Sequence, residues 1–148
     1  MEISLECAND YFSNHLDFDF WNDISDNQKN AAINMAKDYI FRFPYIGQAL
    51  SEGQENPFPR VYCARLITIP DDVVKAVFEE ALNLIKLNTT ENSVTIPEGI
   101  QSMSLGSASI SFKDSFGKYE ISQKSRMYLE PWIKKGFDFK SSTFSEVY

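Results

Sequence analysis

The strongest constraint lies in the middle of the chain, where Ile69-Pro70-Asp71-Asp72-Val73 opens a segment too apolar to be one-sided. Pro70 suits the first turn of a helix, and Asp71 and Asp72 complement the positive end of its dipole. Val73, Val74, Ala76, Val77, Phe78, Ala81, Leu82, Leu84 and Ile85 follow, and on a helical period they fall on most sides. Such a helix is central, because it must be covered from several directions. A chain of 148 residues is expected to form one domain around it.

Covering helices are predicted on both sides. Ser4 is placed to cap a first helix whose stripe is Leu5, Ala8, Tyr11 and Phe12. Asp17 to Asp23 alternates acid and aromatic and reads as a loop or short extended segment. Ser25 with Gln28 makes a capping box for the clearest helix, whose face is Ala32, Met35, Ala36, Tyr39 and Ile40. Phe43-Pro44 ends it, since a residue before proline leaves the helical region. A last helix is predicted from about Ser122 to Lys135, packing through Met127, Tyr128, Trp132 and Ile133. Pro131 must either delay its start or kink it, and Gly136 is placed as a C-cap.

Residues 44–68 read as a long irregular connection, a length that is usually functional or packed against something. Within it Pro57-Phe58-Pro59 is stiff and polyproline-like, holding Phe58 and Arg60 in fixed directions. Val61 to Ile67 fits a short strand or a further turn of packing. Asn88 to Gly99 is polar and turn-rich. From Ile100 the period becomes two, with Ile110 and Phe112 on one face and Gly106 open to a bulge. The fold class is therefore mainly α: a small helical bundle with a short β-strand or hairpin arm and an extended aromatic C-terminal tail. Residues 1–136 form the domain, with an inserted loop at 44–68 and the arm at 100–117, and 137–148 form the tail.

The formal charge of -7 excludes a broadly basic nucleic-acid binder, because phosphate neutralisation needs clustered cations. The nearest approach to a cluster is Lys113, Lys118, Lys124, Arg126, Lys134, Lys135 and Lys140 in the last third. Cys7 and Cys63 lack metal-ligand spacing and read as two buried thiols in a reducing compartment. The acidic start Met1 to Glu6 is unlike a signal peptide, and no apolar run approaches the roughly 20 residues of a membrane span. No cofactor, metal or membrane partner is expected. Catalysis is not expected either. The single histidine, His15, has no evident partner, no serine or cysteine sits in a nucleophile elbow, and the glycines are scattered. Asp71/Asp72 is explained by the helix dipole and Glu79/Glu80 by a solvated edge. The Asp17/Asp19 pair lacks the remaining ligands of a calcium loop.

Two features carry both an interaction reading and a plain one. Asn56-Pro57-Phe58-Pro59-Arg60 is either a rigid binding element or a loop that plugs its own core with Phe58. The tail, with Phe137, Phe139, Phe144 and Tyr148, either lies on a neighbouring subunit or frays. Phe58, Arg60, Phe137, Phe139, Phe144 and Tyr148 are thus the candidate interface residues.

Taken in order, these elements resemble tailed-phage proteins of the small head–tail connector, or neck adaptor, type. The resemblance runs through Tyr11 and Trp21, the helix from Lys29-Asn30-Ala31-Ala32 to Tyr39 and then Gly47, and Pro59-Arg60. It continues through Ile69-Pro70-Asp71-Asp72-Val73, Glu80-Ala81-Leu82 and Leu105-Gly106-Ser107-Ala108-Ser109-Ile110, covering about residues 9 to 135. The group usually has Trp where this chain has Phe58. Some of its members carry a primosomal, single-stranded-DNA-binding-like label. The resemblance implies a structural virion protein of the neck, without enzymatic activity, assembled in the host bacterial cytoplasm. It implies a homo-oligomeric, dodecameric ring between the portal and the tail or stopper protein, through which DNA passes without specific binding. An acidic lumen suits that conduit, since it does not grip phosphates. The alternative is a single-stranded nucleic-acid-binding accessory protein using Lys124, Arg126, Trp132, Lys134 and Lys135.

Overall fold

A computed structural model describes residues 1–93, 120–139 and 143–144. About half of these residues are helical, and a small three-stranded antiparallel sheet is set among the helices. The helix α1 (Leu5–Phe12) is capped by Ser4, whose hydroxyl accepts from the Cys7 amide at 3.2 Å. The next segment is not extended as the alternation predicted: Phe18–Asn22 form a short helix, α2. The buried Trp21 decides this. Its ring stacks on Phe12 at 4.3 Å and its indole N–H donates to Asn9 Oδ1 at 2.8 Å. One large side chain with both an apolar body and a satisfied donor outweighs a period-two pattern.

The helix α3 (Asp26–Ile40) starts at Ser25, which accepts from the Gln28 amide as its sequence predicts. Its buried face is Lys29, Ala32, Ile33, Ala36 and Ile40, while Met35, expected in that face, is exposed. The central helix is α4 (Asp71–Ser93), on which Val73, Val74, Ala76, Val77, Phe78, Ala81, Leu82 and Ile85 are all buried. It continues past Asn88, where turns were expected, because helical bonding does not require apolar residues once the helix is nucleated. Phe41, just past α3, and Ile69, just before α4, line one cavity of about 230 Å³. At the other end Lys29 of α3 meets Asn9 and Trp21, whose neighbours Asp17 and His15 reach Lys86 and Glu79 of α4. The two long helices therefore run antiparallel.

The last helix is shorter than predicted. α5 (Gln123–Leu129) gives way to a 3₁₀ turn, Glu130–Trp132, at Pro131. The residues that bury are Ile121, Ser125, Leu129 and Ile133, and Met127 points to solvent. Proline's missing donor ends the α-ladder and changes the register on which the packing face had been read.

The connection at 44–68 holds the sheet: β1 (Gln48–Ala49), β2 (Arg60–Tyr62) and β3 (Arg65–Ile67), antiparallel in that order. The hairpin turn places Cys63 and Ala64 at φ of 51° and 61° without the usual Asn-Gly, which is why its sequence does not announce it. Cys63 is consequently exposed, and Cys7 is half-buried, so neither is the deeply buried thiol expected. Gly47, at φ +77°, lies so close to the Val61 carbonyl that a Cβ there would collide with it. The Phe58–Pro59 peptide is cis, and residues 55–59 bend where a polyproline-like segment was expected. The tail bends back: β4 (Phe137–Asp138) pairs with β5 (Thr143–Phe144), after Gly136 at φ 87°. The arm expected at 100–117 lies outside the described residues.

Arg60 holds this region together. Its guanidinium donates to the carbonyls of Ile46 (2.8 Å), Gly47 (2.9 Å), Tyr45 (3.1 Å) and Pro57 (3.1 Å). A planar fork suits four carbonyls arranged round it, and a lysine cannot reproduce that geometry. Arg60→Ala is expected to cost about 2 kcal/mol in urea unfolding, with Arg60→Lys recovering less than half. Hydrogen exchange should show faster loss of protection at β1–β3 than in α4, and equal loss throughout would contradict the assignment.

Candidate nucleic-acid interface

Two clusters of chemistry-bearing side chains stand out, and only one faces outwards. The inner cluster centres on α4. Glu79 and Glu80 were expected at a solvated edge, yet both are buried. Glu79 Oε1 accepts from the Tyr11 hydroxyl at 2.7 Å and lies 2.9 Å from His15 Nε2. The Asp17 amide donates to His15 Nδ1 at 3.0 Å, so in the neutral ring the proton sits on Nε2 and is given to Glu79. Burial, followed by hydrogen bonding to Tyr128 and Glu79, pushes the Tyr11 hydroxyl far above its ordinary value of 10.0. Glu80 Oε2 accepts from the Ser122 amide at 2.9 Å and meets Ser125 Oγ at 3.1 Å. These bonds tie α1 and α5 to α4 and engage the donors with one another, so the cluster acts as a fastening. No group of three or more His, Cys, Asp or Glu side chains suited to a metal ion occurs among the described residues.

The outer cluster is built from two segments far apart in the chain. Tyr45 bridges to Ile133, the Ile46 amide donates to the Trp132 carbonyl at 2.9 Å, and the Lys134 amide donates to the Pro44 carbonyl at 2.9 Å. This splice sets Phe43 beside the start of the tail. The rings of Phe43, Phe137 and Phe139 meet pairwise at 5.7, 5.2 and 5.3 Å, and all three are half-buried. The Arg126 guanidinium lies over the Phe139 ring at 5.9 Å. Arg42, next to Phe43, is exposed, as are Lys134 and Lys135 at the splice. Partly open aromatic faces with cations around them are what an unpaired nucleic-acid strand needs: rings for bases and charges for phosphates. Trp132 is less free than its sequence suggested, since its indole N–H donates to Asp72 Oδ2 at 3.1 Å.

The six candidate interface residues are placed differently. Phe58 is buried against Tyr45 at 4.9 Å, and Arg60 is occupied by its four carbonyls. Phe137 and Phe139 belong to the outer cluster. Phe144 pairs with Phe137 through the backbone, and Tyr148 lies outside the described residues, as do Lys113, Lys118 and Lys140. The sequence marks Phe43 only as the end of a helix and does not mark Arg42. Nothing local marks either as a site residue, because their partners are brought in from the end of the chain.

A family model described as "Putative DnaT-like ssDNA binding protein" matches residues 3–143. No curated protein and no solved structure matches the chain.

The inner cluster generates two expectations. Glu79→Ala removes the acceptor shared by Tyr11 and His15 and should cost about 3 kcal/mol, whereas Glu79→Gln, which keeps an oxygen, should cost about 1 kcal/mol. Calorimetry distinguishes them, and equal costs would remove the acceptor argument. At 3.0 Å, Lys86 hydrogen-bonds Asp17 and holds its carboxyl below the ordinary 3.8. A carboxyl depressed in the folded state adds stability above its unfolded value and loses it as the pH falls through the folded one. Lys86→Met should therefore lower the neutral plateau slightly, flatten the acid limb below about pH 4, and leave stability at the acid end, where Asp17 is protonated in both states, nearly unchanged.

Proposed function

This chain belongs to the family described as "Putative DnaT-like ssDNA binding protein", and on that footing we propose that it binds single-stranded DNA across the outer cluster. The observation that carries the reading is the Phe43–Phe137–Phe139 trio with Arg126 on its edge. Bases stack on the ring faces, and Arg42, Arg126, Lys134 and Lys135 take the phosphates. The net charge of -7 does not oppose this, because the charge is unevenly spread. Residues 1–41 hold Glu2, Glu6, Asp10, Asp17, Asp19, Asp23, Asp26 and Asp38 against Lys29 and Lys37. Residues 122–139 hold Lys124, Arg126, Lys134 and Lys135 against Glu130 and Asp138. The acidic half orients a strand away from itself and towards the basic end.

Fluorescence anisotropy with a labelled oligothymidylate, at a series of salt concentrations, tests the reading. The expected result is preference for the single strand over a duplex of equal length. With four cations engaged, the log–log salt slope should be about -3. Lys134→Glu with Lys135→Glu should weaken binding at least tenfold, and Phe139→Ala should remove about 1–3 kcal/mol, the usual worth of one stacked base. Absence of binding at low salt, or binding indifferent to these changes, would overturn it.

A second reading, the neck adaptor that the resemblance implies, is supported by the acidic character of residues 1–41, which suits a surface past which DNA slides. In it the chain forms a homo-oligomeric ring in the virion neck between portal and tail or stopper. Light-scattering mass of the protein mixed with a portal ring should then show many copies bound. A persistent monomer that ignores the portal would remove this reading and leave the first.

A further inference from the structure

The cavity of about 230 Å³ between the end of α3 and the start of α4 is lined by Phe41, Asn56, Phe58, Pro59, Thr68 and Ile69. Its walls are apolar, and Phe58 is set in place by packing against Tyr45 at 4.9 Å. The two polar members, Asn56 and Thr68, are exposed and so belong to its rim. Neither the Asn56 side-chain amide nor the Thr68 hydroxyl has a hydrogen-bond partner among the described residues. Gln54 takes only the Asn56 main-chain carbonyl. An apolar hollow with a few open polar groups at its edge is the usual form of a small-ligand site. Its volume falls below the roughly 300 Å³ at which drug-sized sites begin, which points to a single ring system.

The neighbours of the cavity indicate what that ring is. Phe41 lines it, Arg42 is exposed, and Phe43 belongs to the outer cluster. Two residues of backbone span at most about 7 Å, so the cavity wall and the aromatic trio lie within reach of one short strand. The Lys37 ammonium lies over the Phe41 ring at 5.7 Å and adds a second cation there. The surroundings are not uniformly basic, however. Glu55 adjoins Asn56 and Asp38 stands one turn before Phe41, both exposed. The acids at the start of α4 are engaged, Asp71 with the N-terminal ammonium at 3.4 Å and Asp72 with the Trp132 indole. A phosphate gains little inside such a cavity, whereas an uncharged ring gains from its apolar walls.

We propose that this cavity takes one unstacked base of the strand bound at the outer cluster, adenine by preference. The site rests on the single-strand reading and adds to it discrimination among bases. Aromatic and apolar walls hold a base drawn out of its stack, and polar groups at the rim read its edge. The Asn56 amide presents one donor beside one acceptor, the pattern that matches N6–H and N7 of adenine. The Thr68 hydroxyl can donate or accept and supplements that contact. Arg42, between the cavity and the trio, takes the phosphate that joins the pocketed base to those stacked on the rings.

Fluorescence anisotropy with oligothymidylates carrying one central adenine, cytosine or guanine tests the site. The adenine strand should bind about fivefold more tightly than plain oligothymidylate, the net worth of about one hydrogen bond. Asn56→Ala should erase that margin, and so should Thr68→Trp, which closes the mouth without touching the core. Both positions are exposed, so the circular dichroism spectrum and urea midpoint of each variant should match the wild type. Adenosine alone, titrated into isotope-labelled protein, should shift the amide resonances of Phe41 and Ile69 saturably, and Thr68→Trp should abolish the shifts. Equal affinity for the four strands, a margin for cytosine or guanine instead, or an adenine margin that survives both substitutions would overturn the site and leave strand binding intact. Loss of strand binding altogether, with adenosine still shifting these amides, would overturn the single-strand reading and support the cavity as a base site.

Discussion

The fold depends on two adjacent carboxylates on its central helix. Glu79 and Glu80 are neighbours in sequence, and neighbours on a helix point about 100° apart. One therefore reaches Tyr11 and His15 at the end of α1, and the other reaches Ser122 and Ser125 at the start of α5. Apolar burial along α4 supplies most of the attraction, but such burial is indifferent to sliding and rotation. The carboxylates are not indifferent. Each accepts from donors whose positions fix the angle and height at which a flanking helix sits.

A similar division of labour holds at the sheet end. Tyr45 and Phe58 fill space, and the Tyr45 hydroxyl donates to the Ile40 carbonyl at the close of α3. Arg60 then gathers carbonyls that the irregular backbone would otherwise leave unmatched. With that end secured, the strand-like contact of 44–46 with 132–134 becomes possible, and the outer aromatic cluster follows from it. The surface credited here with DNA binding is thus a consequence of internal fastening, several steps removed from any single motif.

How far the sequence was readable follows the range of the interactions. The caps at Ser4 and Ser25 and the all-round apolar α4 were plain, because helix periodicity and capping act within four residues. The α2 turn was missed because Trp21 answers to Phe12 and Asn9. Pro131 was recognised as a breaker, but its shift of register hid Leu129 as the buried residue. The hairpin at 60–67 was half seen, since Cys63-Ala64 is not a turn sequence anyone would choose. The outer cluster was legible only in its later half. Arg126, Phe137 and Phe139 drew attention by type, whereas Phe43 and Arg42 look like ordinary residues at the end of a helix.

The splice between Tyr45 and Ile133 also sets an order of events during synthesis. A chain leaving the ribosome exposes Phe43 long before Phe137 and Phe139 exist to cover it. Helices α1 to α4 can associate once α4 has emerged, through contacts such as Tyr11 and His15 with Glu79, while the proposed strand-binding face waits for Phe137 and Phe139. A ribosome that stalls or terminates before residue 139 would release a chain with most of its core in place and without its proposed DNA surface. The proposed surface would then be complete only after residue 139 has emerged, so shorter products would carry the core without it.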